Sequence, residues 1–264
     1  MENIKNCFKS GICKLKEDKL RLILFLVYTV YTVFCSIYFF TNGYIRNGFL
    51  PIAYYALFVV VLNLFEYFLS MECSNLFLTI IFSIPVGGIL GSCFDLYLTI
   101  PFLDTLLHTI SGFIFAALGY SLMNRLLGRS DGKYFGANLM FGTAFSLGLA
   151  TLWELFEWLL TSLMKGDMLE DTVVYNIYSY LLSGNHNTPE NITDIDKTLI
   201  YYDGGKIYEL EGYLDLGGLD SLTDMAVCLA GAIAFIILAL IGKKLGERFL
   251  NLFVPALKKK HIIE

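Results

Sequence analysis

The sequence predicts an all-α fold, a polytopic transmembrane bundle of about six helices with a small extracytoplasmic lid containing a short helix and a β-hairpin. Three observations predict it. Hydrophobic residues make up 56% of the 264-residue chain and its mean hydropathy is +0.62, more apolar surface than a soluble domain of that length needs for its core. Apolar runs of about 20 residues, long enough to cross the hydrocarbon as helices, recur along the chain. Cations gather before the first run, after the last and between the fourth and fifth, whereas the longest loop is acidic.

The first run, 21–40, follows a lysine-rich stretch and has no small-residue cleavage site after it, so it reads as a retained span. The second covers 49–69. The third, 76–93, is interrupted by Pro85, Gly87, Gly88 and Gly91, which predicts either a kink or close packing through small residues. The remaining runs cover 103–124, 138–163 and 219–242. Lys5, Lys9, Lys14, Lys16, Lys19 and Arg21 precede the first; Lys243, Lys244, Arg248, Lys258, Lys259 and Lys260 follow the last; Arg125, Arg129 and Lys133 lie between the fourth and fifth. An even number of spans, both termini cytoplasmic, satisfies this pattern. The expected organisation is 1–163 for the first five spans, 164–218 for the lid, and 219–264 for the last span and a basic tail.

The lid segment carries ten acidic residues against Lys165, Lys197 and Lys206. Thr198–Tyr202 and Lys206–Leu210 are strand-like and flank the turn Asp203-Gly204-Gly205, a hairpin signature. Upstream, Val174, Ile177, Tyr178 and Leu181 have helical spacing, and Gly184 is placed to end a helix over 171–182.

A net charge of −5 and a pI near 5.3 leave no basic field for a nucleic-acid backbone. The six cysteines show neither a C-x-x-C pair nor metal-finger spacing, and only Cys93 is expected on an oxidising side, so no disulfide is expected.

Ionisable groups inside hydrocarbon are expensive, and three pairs stand out. Asp104 and His108 are four apart on the fourth span, Glu154 and Glu157 three apart on the fifth, Asp220 and Asp224 four apart on the sixth; each pair shares a helix face. All three fall in the outer half of their spans, and the lid joins two of those spans. These three runs contain no Lys or Arg at that depth, so a bound divalent metal or protonation must neutralise the acids. An oxygen-rich set with one nitrogen suits Zn, Mn, Mg, Ca or Fe. Each group has a plainer alternative. Asp104 and Asp220 suit helix N-terminal positions, His108 suits a hydrogen-bonded core histidine, and Glu66 can snorkel from the end of the second span. Asp167 and Asp171 fit the site or a solvated face equally, and His186 and His261 read as solvated. Glu154 and Glu157, set between Trp153 and Trp158, are the strongest candidates.

The segments Asp104-Thr-Leu-Leu-His108-Thr-Ile-Ser-Gly112-Phe, Trp153-Glu154-Leu-Phe-Glu157-Trp158 and Leu219-Asp220-Ser-Leu-Thr-Asp224-Met resemble the YjdF-like family of bacterial membrane proteins over residues 95–240. Asp171-Thr-Val-Val and Gly212-Tyr-Leu-Asp215 resemble its clostridial-type members. The resemblance implies a fold and a polar site but no reaction. A fainter similarity to VanZ-like proteins rests on D-x-x-x-H, a later intramembrane Glu and an Asp before a Gly-Ala helix; where those proteins carry Asn one turn beyond that Asp, this chain has Cys228.

The expected function is an outward-facing carboxylate/His site of Asp104, His108, Glu154, Glu157, Asp220 and Asp224 that binds a divalent metal and acts on an envelope or lipid-linked substrate, with Glu154 or Glu157 as general base. No nucleophile elbow, P-loop or H-E-x-x-H names a reaction. A proton- or cation-coupled small transporter and a non-catalytic membrane scaffold are the rival expectations.

Overall fold

Each apolar run becomes one helix because only a helix satisfies every backbone amide internally where water is absent. The computed structural model describes residues 2–100, 102–128, 132–165 and 167–257. Among them, six helices are long and apolar enough to cross a membrane. Arg129, Lys258, Lys259, Lys260 and His261 lie outside the described residues.

The chain divides into two compact units, residues 1–150 with 227–264, and residues 151–226. The first begins with the amphipathic helix α1 (Glu2–Glu17), followed by α2 (Lys19–Thr41), α3 (Ile45–Phe68), the short strand β1 (Met71–Glu72), α4 (Asn75–Cys93), the single turn α5 (Leu96–Thr99) and α6 (Phe102–Leu126). Helix α7 (Phe135–Met164) leads into the second unit, and α9 (Gly218–Leu245) leads back out of it. After α9 come the turn α10 (Glu247–Leu250) and β8 (Ala256–Leu257), which pairs antiparallel with β1.

The interrupted third run is an unbroken helix and the most enclosed span, 56% buried against 17–44% for the others. Its glycines explain why: a methyl group on Gly87 would collide with the Leu107 side chain, and one on Gly91 with the Tyr97 ring. Pro51 of α3 has no amide hydrogen, which frees the carbonyl of Asn47 one turn back. The Cys93 thiol donates to that carbonyl at 3.8 Å.

The start of α2 and the 252–257 segment meet at the turn between α3 and α4. Asp18 caps α2 by accepting from Arg21 N at 3.0 Å, and its other oxygen accepts from the Asn75 amide at 2.7 Å. Those two donors hold its carboxyl below the ordinary range. Ser74 caps α4 at Phe77 N and donates to Leu252 O at 2.6 Å, while Arg125 Nε donates to Leu69 O at 2.6 Å. At the centre is Glu66, 1% exposed. Its Oε2 takes Lys14 Nζ at 2.5 Å and Arg21 Nη2 at 2.6 Å, and its Oε1 takes Cys73 N at 2.8 Å. Snorkelling is therefore the wrong reading of Glu66, because α1 brings a lysine over it and α2 places an arginine beside it. Burial, and then the Glu66 charge, push the neighbouring Cys73 thiol upward, so it stays protonated.

The second unit contains the acidic segment. The hairpin is present as β5 (Lys197–Tyr202) and β6 (Lys206–Glu211), with Tyr202 opposite Lys206 and Asp203, Gly204 and Gly205 all at positive φ in the turn. The helix expected over 171–182 is not formed. In its place stand β2 (Thr172–Val174), β3 (Ile177–Ser179) and the single turn α8 (Tyr180–Ser183), ended by Gly184 at φ +65°. Helical spacing of four apolar residues loses here to strand partners: β2 pairs with β7 (Tyr213–Asp215) and β3 with β4 (Glu190–Ile192). Asn176 Oδ1 fixes the turn between them by accepting from Asp194 N at 3.2 Å.

Removing one partner of a buried ion cluster leaves its counter-charges desolvated. Glu66→Gln should therefore lower stability in detergent by about 3–5 kcal/mol, and adding Arg21→Met to it should recover part of the loss. Thermal unfolding of the two variants checks this.

Candidate functional site

Helix α6 carries Asp104 in its first turn and His108 one turn later, and the structure brings them together: Asp104 Oδ1 lies 3.5 Å from His108 Nε2. Both are partly enclosed, at 23% and 14% side-chain exposure. The opposite edge of the imidazole faces α9, where Cys228 Sγ is 4.0 Å from Nδ1 and donates to the His108 carbonyl at 3.2 Å.

Small residues create this approach. A Cβ on Gly112 of α6 would strike the Cys228 carbonyl oxygen, and a Cβ on Gly231 of α9 would strike the carbonyl of Thr109. The two backbones touch through reciprocal glycines, as helices do where lipid supplies no hydrophobic drive between them. Helix α7 reaches the same point on another side, because Ser146 Oγ donates to Gly112 O at 2.9 Å. A Cβ on Gly142 would lie 2.6 Å from Ala116 O, and one on Gly119 would lie 2.8 Å from Phe145 Cβ. Three helices thus converge on Gly112, one turn from His108.

The other predicted residues belong to the second unit. There α7 and α9 are neighbours, with Thr151 Oγ1 donating to Met225 Sδ at 3.6 Å. Glu154, one turn past Thr151, is 6% exposed, and Asp224, beside Met225, is 3% exposed. Both acids are withdrawn from the lipid-facing surface, whereas Trp158 is 57% exposed. Glu157 and Asp220 are half-buried. Asp215 takes the N-terminus of α9, accepting from Leu219 N at 2.7 Å, and Met168 N donates to Thr161 Oγ1 at 3.0 Å. The acidic segment is thereby tied to the helix ends it connects.

Cys228, noted in the sequence only as the residue that stands where VanZ-like proteins carry Asn, is the direct neighbour of His108. The Glu66 cluster went unread in the sequence; the signal was the presence of Lys14 and Arg21 before the first span.

The six long apolar helices define a multi-pass membrane protein, with Asp104 beside His108 on α6. The chain belongs to the family described as predicted membrane protein (DUF2238), whose pattern matches residues 20–244. No curated protein and no solved structure matches it.

Asp171 gives a pH-dependent test of the acidic segment. Partial desolvation, and then the negative charges of Asp167 and Asp215, raise its carboxyl above the ordinary carboxylate range. The native state then holds its proton more tightly than the unfolded state, so stability falls as pH rises through the interval between the two values. Asp171→Asn should stabilise the segment at neutral pH, and the gain should vanish below about pH 4, where both states are protonated. Amide exchange of residues 172–174 against pH measures it.

Proposed function

We propose that Asp104, His108 and Asp224, with Glu154, Glu157 and Asp220, form one outward-facing site for a divalent cation, and that the protein uses it on an envelope or lipid-linked substrate. The observation that carries this reading is the clamped imidazole: His108 is held between Asp104 on its own helix and Cys228 on α9 at a three-helix crossing. Helical register extends that crossing to the remaining acids. On α9, Asp224 and Asp220 follow Cys228 at one-turn steps. On α7, Ser146, Ala150, Glu154 and Glu157 follow one another at steps of four, four and three, and the first three are buried. On α6 the same direction runs from Gly112 to His108 to Asp104. In the proposed site Glu154 and Glu157 are suited to hold and move a proton. A bound cation would supply Lewis acidity toward a phosphoryl or acyl oxygen.

We read the chain as YjdF-like on its three motif segments, and the family match over residues 20–244 supports that reading. We likewise place both termini in the cytoplasm of a bacterial cell. The convergence of the N-terminal helix, the turn at 69–75 and the 252–257 segment on one end of the first unit supports a common side for them. A proton-coupled carrier is the alternative favoured by the burial of Glu154 and Asp224, since buried acids are also how carriers bind protons.

A metal that binds only the folded state raises stability by about 2.7 kcal/mol at a hundredfold excess over its dissociation constant. Purified protein should carry a stoichiometric divalent ion, and chelated protein should regain thermal stability with one of Zn, Mn, Mg, Ca or Fe. His108→Ala and Glu154→Gln should weaken that response. If none of the five ions shifts the melting of wild type while its melting depends on pH, the carrier reading replaces the metal reading. For orientation, a phosphatase fused near Gly184 should be active and one fused after Lys260 inactive. The reverse pattern would remove the outward-facing site.

A further inference from the structure

Helix α1 does not continue the first span. Asp18 breaks it from α2, and its polar contacts with α3 fall on a short stretch of that helix: the Cys7 thiol donates to Asn63 O at 3.4 Å, Gly11 packs against the Asn63 side chain, and Lys14 binds Glu66. Residues 7 to 14 cover about 10 Å of α1, whereas 63 to 66 cover about 4.5 Å of α3. Helix α1 therefore crosses the end of α3 instead of running along it. The lysine over Glu66 is spoken for. Its other lysines are not on that face: Lys5, Lys9 and Lys16 follow at steps of four and seven on an exposed side of the helix. Beside that row run Phe8, 46% exposed, and Ile12, 53% exposed, while Leu15, farther round the helix, packs against the core.

A crosswise helix with an apolar strip next to a lysine row, attached directly to a transmembrane span, has the chemistry of an interfacial helix on an acidic membrane surface. We propose that α1 docks on anionic phospholipid headgroups of the bilayer in which the protein sits, Phe8 and Ile12 entering the acyl boundary and Lys5, Lys9 and Lys16 meeting the phosphates. The charge match argues for this occupant: three lysines share this side of α1 against one acid, Glu2 in its first turn, and Glu17 lies off that face. This surface is independent of the carboxylate site.

The experiment is amide hydrogen exchange of residues 5–16 in nanodiscs of phosphatidylcholine alone and of phosphatidylcholine mixed with phosphatidylglycerol. Each juxtamembrane lysine contributes about fivefold to binding an acidic surface. Exchange of α1 should slow at least fivefold with phosphatidylglycerol present, and the difference should shrink in high salt. The triple variant Lys5→Gln, Lys9→Gln, Lys16→Gln should lose the difference, whereas the matching triple Arg variant should keep it. Unchanged exchange in α3 and α4 shows that the variants are folded, since Lys14 and Glu66 are untouched. Equal protection in both lipids, protection retained by the triple Gln variant, or the same protection from soluble glycerol phosphate added to phosphatidylcholine discs would each overturn the proposal.

Discussion

The backbone contact between α6 and α9 is the constraint on which the geometry around His108 depends. In lipid, two apolar helices gain nothing by hiding side chains from water, so they associate where their backbones can approach closely. Gly112 and Gly231 allow this because each faces a carbonyl of the other helix, at Cys228 and Thr109, with no room for a methyl group. The same carbonyl of Gly112 accepts the Ser146 hydroxyl, so a third helix is indexed to that point. A one-residue rotation of α6 would lose all of these contacts together and turn His108 away from Cys228.

Two polar clusters occupy opposite ends of the first unit, and they are balanced in different ways. At the end that holds the turn between α3 and α4, Glu66 is compensated by Lys14, Arg21 and the Cys73 amide, a closed set that leaves nothing for a ligand to add. At the other end, the α6 pair Asp104 and His108 sits on a helix with no basic residue before Arg125. A buried carboxylate held by an arginine and a lysine fixes helices in place. The Asp104 and His108 pair is instead only partly enclosed and lies against α9 through Cys228.

The acidic segment shows how weak a short periodic signal is when partners are available. Val174, Ile177, Tyr178 and Leu181 have helical spacing, yet Thr172 to Val174 pair with Tyr213 to Asp215, and Ile177 to Ser179 pair with Glu190 to Ile192. The hairpin at 197–211 was legible because both of its strands and its turn are contiguous in sequence, so its pairing is local. The other two sheets join residues that are distant along the chain or separated by a helical turn, and no local pattern encodes such a pairing.

Number and placement of the spans were readable from the chain alone, because hydrocarbon imposes a length and a polarity on every crossing helix irrespective of its neighbours. The face shared by Asp104 and His108 was readable too, since four residues always make about one turn. Which side of each helix meets which neighbour was not. The glycines at 87 and 91 were visible as small residues, but only packing revealed that Leu107 and Tyr97 fill the space they leave. Glu66 read as an acid that snorkels from the end of its span until α1 and α2 were seen to bring Lys14 and Arg21 onto it. Cys228 read as a departure from the Asn of VanZ-like proteins until the glycine crossing put its sulfur against His108. Periodicity within one helix is a property of the backbone, whereas contacts between helices depend on crossing points that residues far apart in the chain set jointly.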